Sequence, residues 1–272
     1  MREVGIVGLG LIGGSVGMAL RRLPRRVRVS GVCRSEDDAR AAERLGAADS
    51  ASSHLESLRD CDLILLATPI AEFRGAFETV GRLLPPSVLI SDVASVKLPI
   101  IDLARRQLPS PGRFLGGHPM AGRTETGIAH SDPEMFSGTP WVFTPLPGQD
   151  LMPFQWWIDM VTSLGAKPVV MSAAEHDRQA AYVSHLAFTL SSAYAALARQ
   201  QAGERIAGSG YRSMTRLAGG DPVMYADIAT ANRGNLLLAI DSFTQTLAGY
   251  RQAIAAGGGL VELFSEAHHA AD

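Results

Sequence analysis

The feature that most constrains this chain is the stretch from Val4 to Ser15, Val-Gly-Ile-Val-Gly-Leu-Gly-Leu-Ile-Gly-Gly-Ser. Its branched apolar residues read as a buried strand that runs into a glycine turn and then a helix. Gly8, Gly10 and Gly13 fall at the G-x-G-x-x-G spacing, which allows a tight turn, close approach of the backbone to a pyrophosphate, and close packing of the helix on the strand. The helix, expected over Ser15 to Leu23, turns its free N–H groups toward the anion, and Leu11 and Ile12 are cofactor-binding candidates in the turn before it. Glycines also mark ordinary turns. The strand before them and the helical pattern after them make this a dinucleotide cradle.

The second strand, Val27 to Val32, ends where the cofactor is chosen. About 20 residues past the glycines an NAD site places Asp or Glu on the ribose hydroxyls. Here the chain has Cys33, Arg34 and Ser35. Arg34 can pair with a 2′-phosphate and Ser35 can donate to it, whereas an acid would repel it. The pattern favours NADP, with NAD possible.

Strand and helix then alternate. A helix is expected over 37–45, a short strand over 47–49, a doubly buried strand at Leu63-Ile-Leu-Leu-Ala ended by Thr68-Pro69, a helix over 73–84, a strand over 88–91, and a helix from Pro99 to Leu108. This predicts a doubly wound parallel sheet, with ligands beyond the carboxyl ends of its strands. Thr68 and Pro69, the run Asp92 to Lys97, and Gly116-Gly-His-Pro-Met-Ala-Gly122 then share one rim with the glycine turn. Further strands are expected over 141–144 and 166–171, with a helix over 154–164 between them. From Ser172-Ala-Ala-Glu175, which has the form of a capping box, helix formers dominate to the end. The expected division is a nucleotide-binding domain over 1–171 and an all-α domain over 172–272. The second part carries so much alanine and leucine that a homodimer through it is expected.

Composition removes several classes. The net charge of −2 over 272 residues, with basic residues scattered, gives no reason to expect nucleic acid or an anionic membrane. No segment approaches a membrane span. The cysteines Cys33 and Cys61 make neither a disulfide framework nor a metal spacing, and the N-terminal region has no secretory pattern, so a cytoplasmic location is expected. No metal site is expected. His268-His269 reads as a frayed tail.

His118 is the candidate reacting group. Gly116, Gly117 and Pro119 fix the backbone around an imidazole suited to proton transfer near neutral pH. On the neighbouring loop, Ser95 can orient that imidazole or bind a substrate hydroxyl, and Lys97 can hold position or charge; a capped turn would use the same residues. In the helical part, Ser184-His185 lies off an apolar stripe, with His185 either bordering a polar pocket or hydrogen bonded in the core. Arg216 offers a planar guanidinium for a carboxylate, or a surface ion pair.

Taken jointly, Gly-Leu-Gly-Leu-Ile-Gly-Gly-Ser at 8–15, Asp-Val-Ala-Ser-Val-Lys at 92–97, Gly-His-Pro-Met-Ala-Gly at 117–122, Glu-His-Asp at 175–177, Ser-His-Leu at 184–186 and Thr-Arg-Leu-Ala-Gly-Gly-Asp-Pro at 215–222 resemble the prephenate and arogenate dehydrogenases of tyrosine biosynthesis, the TyrA family. The resemblance spans essentially the whole chain. It implies a Rossmann domain, a helical dimerisation domain and an active site between them. It also implies oxidative decarboxylation of a cyclohexadienyl substrate: hydride leaves the ring carbon bearing the hydroxyl for the nicotinamide, and loss of the ring carboxylate as CO₂ aromatises the product. By this likeness His118 takes or strongly hydrogen-bonds the hydroxyl proton, Ser95 supports it, and Arg216, Ser184, His185 and Lys97 bind substrate.

Two departures bear on the substrate. Many prephenate-using members carry Ser-His-Leu-Pro-His, whereas this chain has Ser-His-Leu-Ala-Phe, so Phe188 cannot repeat a histidine contact. Tyr225 stands where members often have Trp. With Arg34-Ser35, these point to the NADP-using arogenate branch, with prephenate as the other substrate. No chorismate mutase or regulatory module is expected, so feedback inhibition would act at the active site. Two alternatives were weighed. The β-hydroxyacid dehydrogenases use a lysine in the helical domain, and no lysine follows residue 171 here. A non-catalytic NADPH sensor would leave His118, Ser95 and Arg216 without a reason.

Overall fold

Strand β1 (Arg2–Val7) enters the glycine turn and helix α1 (Leu11–Arg22). The structure is a computed structural model that describes residues 1–24, 27–201 and 203–271; the last residue of the expected second domain, 272, lies outside them. There follow β2 (Val27–Val32), α2 (Glu36–Arg44), β3 (Ser50–Ser52), β4 (Leu63–Leu66), α3 (Phe73–Leu83), β5 (Leu89–Asp92), α4 (Leu98–Gln107), β6 (Phe114–Pro119), β7 (Pro140–Thr144), α5 (Gln155–Ser163) and β8 (Lys167–Val170). The strand expected over 47–49 is thus displaced: Ala47 and Ala48 are buried in the turn leaving α2, and pairing with β2 begins at Ser50.

The sheet order is β3-β2-β1-β4-β5-β6-β7-β8. Its first six strands are parallel, in the order of a Rossmann fold. All four residues of β4 are buried, as a central parallel strand covered on both faces requires. The sheet is not parallel throughout. Strand β7 pairs antiparallel with β6, with His118 opposite Val142, and β8 follows β7 in parallel. The reason lies in the connection. Parallel neighbours need a crossover, usually a helix, whereas residues 120–139 hold only a short 3-10 turn at Ile128–His130. That segment instead lies over the start of α1, where the Ser131 hydroxyl donates to the carbonyls of Gly10 (3.1 Å) and Leu11 (3.2 Å) and the Asp132 amide donates to Ser15 Oγ (2.9 Å).

Ser172 caps α6 (Ala173–Ala180), accepting the Glu175 N–H. The Glu175 carboxylate does not close a box; it accepts from Gln179 (3.1 Å). The chain continues through α7 (Leu186–Gln200), α8 (Ser209–Thr215), α9 (Pro222–Ala231), α10 (Arg233–Ala256) and α11 (Leu260–Ala271). From Ser172 onward the described residues form helices and turns only. Ala173 and Ile228 join the core on one face of the sheet, which seats the helical part against the strand ends. The cluster belonging to the helices themselves is small: Ala181, Leu186, Leu236 and Ala239. Val183, Leu197, Leu238, Ile254, Val261 and Phe264 are exposed.

Candidate active site

The nucleotide cradle has the form the glycines require. Gly8 takes φ +95°, and a Cβ there would lie 2.7 Å from the Ala67 carbonyl oxygen. A Cβ on Gly13 would collide with the Gly8 carbonyl, whereas one on Gly10 meets nothing within 4 Å. Gly10 therefore faces open space at the N-terminus of a 12-residue helix with no acidic residue in its first turn. Beside it the buried Thr68 hydroxyl has no partner among the described residues. Open backbone N–H groups and an orphaned hydroxyl at a helix N-terminus fit a pyrophosphate. Pro69 follows, exposed, at the same rim.

At the end of β2, Arg34 is exposed and forms no ion pair among the described residues. Ser35 caps α2 and also donates to Asp38 (3.0 Å). The acids that follow are engaged elsewhere: Glu36 accepts from Ser53 (2.6 Å), which holds its carboxyl below the usual range, and Asp37 pairs with Arg40.

His118 stands at the end of β6, 7% exposed. Its Nδ1 lies 2.8 Å from Nε2 of His176 on α6, and His176 Nδ1 lies 2.7 Å from Asp177 Oδ1. The carboxylate of Asp177 accepts the backbone N–H groups of Lys97 (2.7 Å) and Leu98 (2.8 Å), the open start of α4. These contacts fix the tautomers. A carboxylate only accepts, so His176 Nδ1 carries a proton; with this ring neutral, its Nε2 is a lone pair, His118 Nδ1 donates to it, and His118 Nε2 is left as an acceptor. Burial, and behind it His176, Lys97 and His185, hold His118 well below the ordinary imidazole range, so it is neutral at pH 7. The site therefore presents an unprotonated ring nitrogen.

Ser95 and Lys97 take different parts from those expected. The partner that orients His118 is His176, and no hydrogen bond joins Ser95 to the imidazole among the described residues. Ser95 is half-buried, with its backbone carbonyl facing His185. Lys97 is fully buried, and its ammonium bonds to Asp92 and to the Gly117 carbonyl (2.5 Å). Asp92 in turn accepts from the Gly117 amide (2.9 Å). The lysine charge is consumed inside the wall, where it fixes the backbone one residue before His118. It is a positioning group and no substrate ligand.

His185 closes a five-residue π-turn, Ala181–His185, between α6 and α7, with Leu186 N–H reaching back to the Ala181 carbonyl. In an unbroken α-helix, positions nine apart lie about half a turn from each other. The wider turn narrows that angle and brings His185 round toward the side that carries His176, as π-turns at functional sites do. Ser184 is half-buried beside it. Arg216 lies at the end of α8, exposed, with no ion pair among the described residues. Its charge opposes the rise that burial gives the Tyr225 hydroxyl. The Tyr225 ring stacks on Phe188 at 3.5 Å between centroids and 7° between planes. A cleft of about 500 Å³ opens between the loop after β6 and the α8–α9 connection, lined by Glu125, His130, Gly220 and Asp221 among others.

His176 and Asp177 were visible in the sequence as Glu-His-Asp but had no assigned role, because nothing local says that a helix start 58 residues beyond His118 meets it. Asn232 carried no signal in the sequence. It is buried, and its side-chain nitrogen bonds to the Asp177 carbonyl (2.7 Å) and lies 3.1 Å from His185 Nδ1.

Comparison with known proteins bears on this geometry. Residues 16–170 match the nucleotide-binding domain of prephenate dehydrogenase and residues 172–266 its dimerization domain. A prephenate dehydrogenase of Bacillus subtilis is 29% identical over 249 residues, covering 89% of this chain and 67% of its own. A cyclohexadienyl dehydrogenase of Zymomonas mobilis is 30% identical, covering 99% and 94%. Among solved structures, arogenate dehydrogenase of Synechocystis superposes with a TM-score of 0.79 at 30% identity, covering 98% of this chain and 95% of its own. Prephenate dehydrogenase of A. aeolicus, in complex with hydroxyphenyl propionate and NAD+, gives a TM-score of 0.89 at 27% identity, covering 98% and 96%.

Proposed function

Because the chain belongs to the prephenate dehydrogenase family over both of its parts, we propose that it oxidises and decarboxylates a cyclohexadienyl substrate, arogenate in preference to prephenate, using NADP in preference to NAD. The division of labour runs between residues 171 and 172, with the nucleotide held by the first part and the substrate gripped between the two.

The observation that carries this reading is the chain of hydrogen bonds from Asp177 through His176 to His118. It leaves His118 Nε2 as a lone pair facing the rim. The nicotinamide, held from Gly8, Gly10, Leu11, Ile12, Gly13, Thr68 and Pro69, supplies the hydride acceptor when bound. His118 accepts the hydroxyl proton as the carbon–hydrogen bond breaks. The electron pair of the carbon–carboxylate bond enters the ring as CO₂ leaves, and the proton returns to the phenolic oxygen, so no net proton is released. A weakly basic, neutral imidazole suits a proton that is shared and handed back. Ser95 contacts the same hydroxyl, while Arg216, with Ser184 and His185 nearby, holds the side-chain carboxylate and the ring.

For the substrate, arogenate is favoured by the aromatic pair Phe188 and Tyr225. Phe188, committed to its stack on Tyr225, offers no hydrogen bond to a keto acid. For the cofactor, the unpaired Arg34 beside the capping Ser35 supports a 2′-phosphate. The exposed Val183, Leu197, Leu238 and Ile254 support a homodimer through the helical part. Steady-state assays crossing arogenate and prephenate with NADP and NAD test the proposal. The highest kcat/KM is expected for arogenate with NADP; a higher value for prephenate or for NAD overturns that half, and no turnover with any pair overturns the whole.

A further inference from the structure

The second histidine of the site, His185, is held as firmly as the first and in the opposite sense. It is 3% exposed. Its Nδ1 faces the side-chain nitrogen of Asn232 at 3.1 Å. Two contacts determine which end of that amide is which. The Asp177 carbonyl can only accept, so the atom 2.7 Å from it is the Asn232 nitrogen, and the Asn232 oxygen accepts from Asn235 Nδ2 at 2.8 Å. The remaining amide hydrogen points at His185 Nδ1, which must be a lone pair.

We propose that Asn232 is a positioning residue that fixes His185 as the tautomer protonated on Nε2, so that the site holds one imidazole acceptor, on His118, and one imidazole donor, on His185. That this setting serves turnover rests on the reaction proposed above; the tautomer does not. His185 Nε2 is buried and forms no full hydrogen bond among the described residues; the acceptor that faces the ring is the Ser95 backbone carbonyl, which calls for a proton on the nitrogen that Asn232 leaves free. Burial pushes His185 down to about 4, which keeps it neutral. The charged and titratable groups around it are Asp177 and His176 on α6, His118 on β6, and Lys97, whose charge is taken by Asp92. Asp177 is then the common origin of both settings: its carboxylate orients His118 through His176, and its carbonyl orients His185 through Asn232.

The test is long-range ¹H–¹⁵N NMR of the ligand-free protein with ¹⁵N-labelled histidine at pH 7, the His185 signals being identified by their loss in His185→Gln. Nε2 protonated and Nδ1 bare is expected; the reverse tautomer, or an imidazolium, overturns the proposal without recourse to any variant. Asn232→Asp, which turns a donor into an acceptor, is expected to move the proton to Nδ1 and lower kcat/KM by about 10- to 100-fold with the Kd for NADP unchanged. Asn232→Asp also sets an oxygen against the Asp177 carbonyl, so Asn232→Ser, which removes the donor without adding charge, is measured beside it. A variant that folds, shifts the tautomer and leaves kcat/KM unchanged overturns the role. Expected tautomers in a protein that turns over neither cyclohexadienyl substrate would count against the proposed reaction and leave the Asn232 setting intact.

Discussion

The carboxylate of Asp177, in the helical part, accepts the backbone N–H of Lys97, in the nucleotide-binding part, at 2.7 Å across 80 residues of sequence. With Leu98 N–H as a second donor, the carboxylate occupies the positive end of α4 while it orients His176. One side chain thus joins the two parts and orients the His118 imidazole.

Asp177→Asn is expected to lower kcat by about 10²-fold or more, because an amide can donate to His176 and reverse the order of donors along the chain. Titration with NADP in the absence of substrate should give an unchanged Kd. A kcat within a few-fold of the parent would show that the His118 tautomer is set elsewhere.

His118→Asn keeps a polar group of similar reach but has no basic nitrogen. Turnover is expected to fall by about 10²- to 10⁴-fold, with binding of NADP retained. Parent-like turnover would remove His118 from the reaction.

The pH response follows from the two depressed histidines. His118 and His185 are neutral in the fold at pH values where the unfolded chain already protonates them near 6.5. The unfolded state then binds more protons, so stability is full above 6.5 and is lost as pH falls from 6.5 toward about 4, the His185 value. Denaturant melts at pH 7.5, 6 and 5 should show midpoints falling in that order. The acid limb of kcat/KM should likewise lie well below 6.5; a limb centred at or above 6.5 would mean that His118 titrates as an ordinary surface imidazole.

Two glycine variants separate cradle from scaffold. Gly10→Ala adds a methyl where nothing lies within 4 Å, so the melting temperature is expected to stay within about a degree or two while KM for the dinucleotide rises about 10-fold. Gly13→Ala drives a methyl into the Gly8 carbonyl and should cost about 1–3 kcal/mol of stability. Equal effects of the two changes on stability and KM would contradict the assignment of Gly10 to the open side.

Arg34→Ala is expected to raise KM for NADP about 10-fold and to leave KM for NAD nearly unchanged, through loss of a charge-assisted bond to the 2′-phosphate. Parallel changes for both cofactors would make Arg34 a surface charge.

Much of this was legible in the chain because it depends on local chemistry. Apolar runs such as Leu63–Leu66 are buried strands, Pro99 lies in the first turn of α4, and Ser172 caps its helix. The glycine turn and His118 were legible for the same reason, since spacing and flanking residues decide them. What escaped depends on how distant segments meet. Reversal of β7 follows from a connection without a helix, yet the length of 120–139 alone is compatible with either direction. Lys97 looks like a ligand in its motif and is buried with Asp92 only once β5 and β6 are side by side. His185 could not be assigned from helical periodicity, because the π-turn Ala181–His185 breaks the period on the way to it.

The bonds from Ser131 to Gly10 and Leu11, and from Asp132 to Ser15, tie the segment that leaves His118 back onto the first turn of α1. In mechanical terms the chain from the glycine turn through the sheet to His118 and back is a closed ring of covalent and hydrogen-bonded links. Arg216, at the end of α8, lies outside that ring. The span between the pyrophosphate turn and the His118 imidazole is therefore a fixed length.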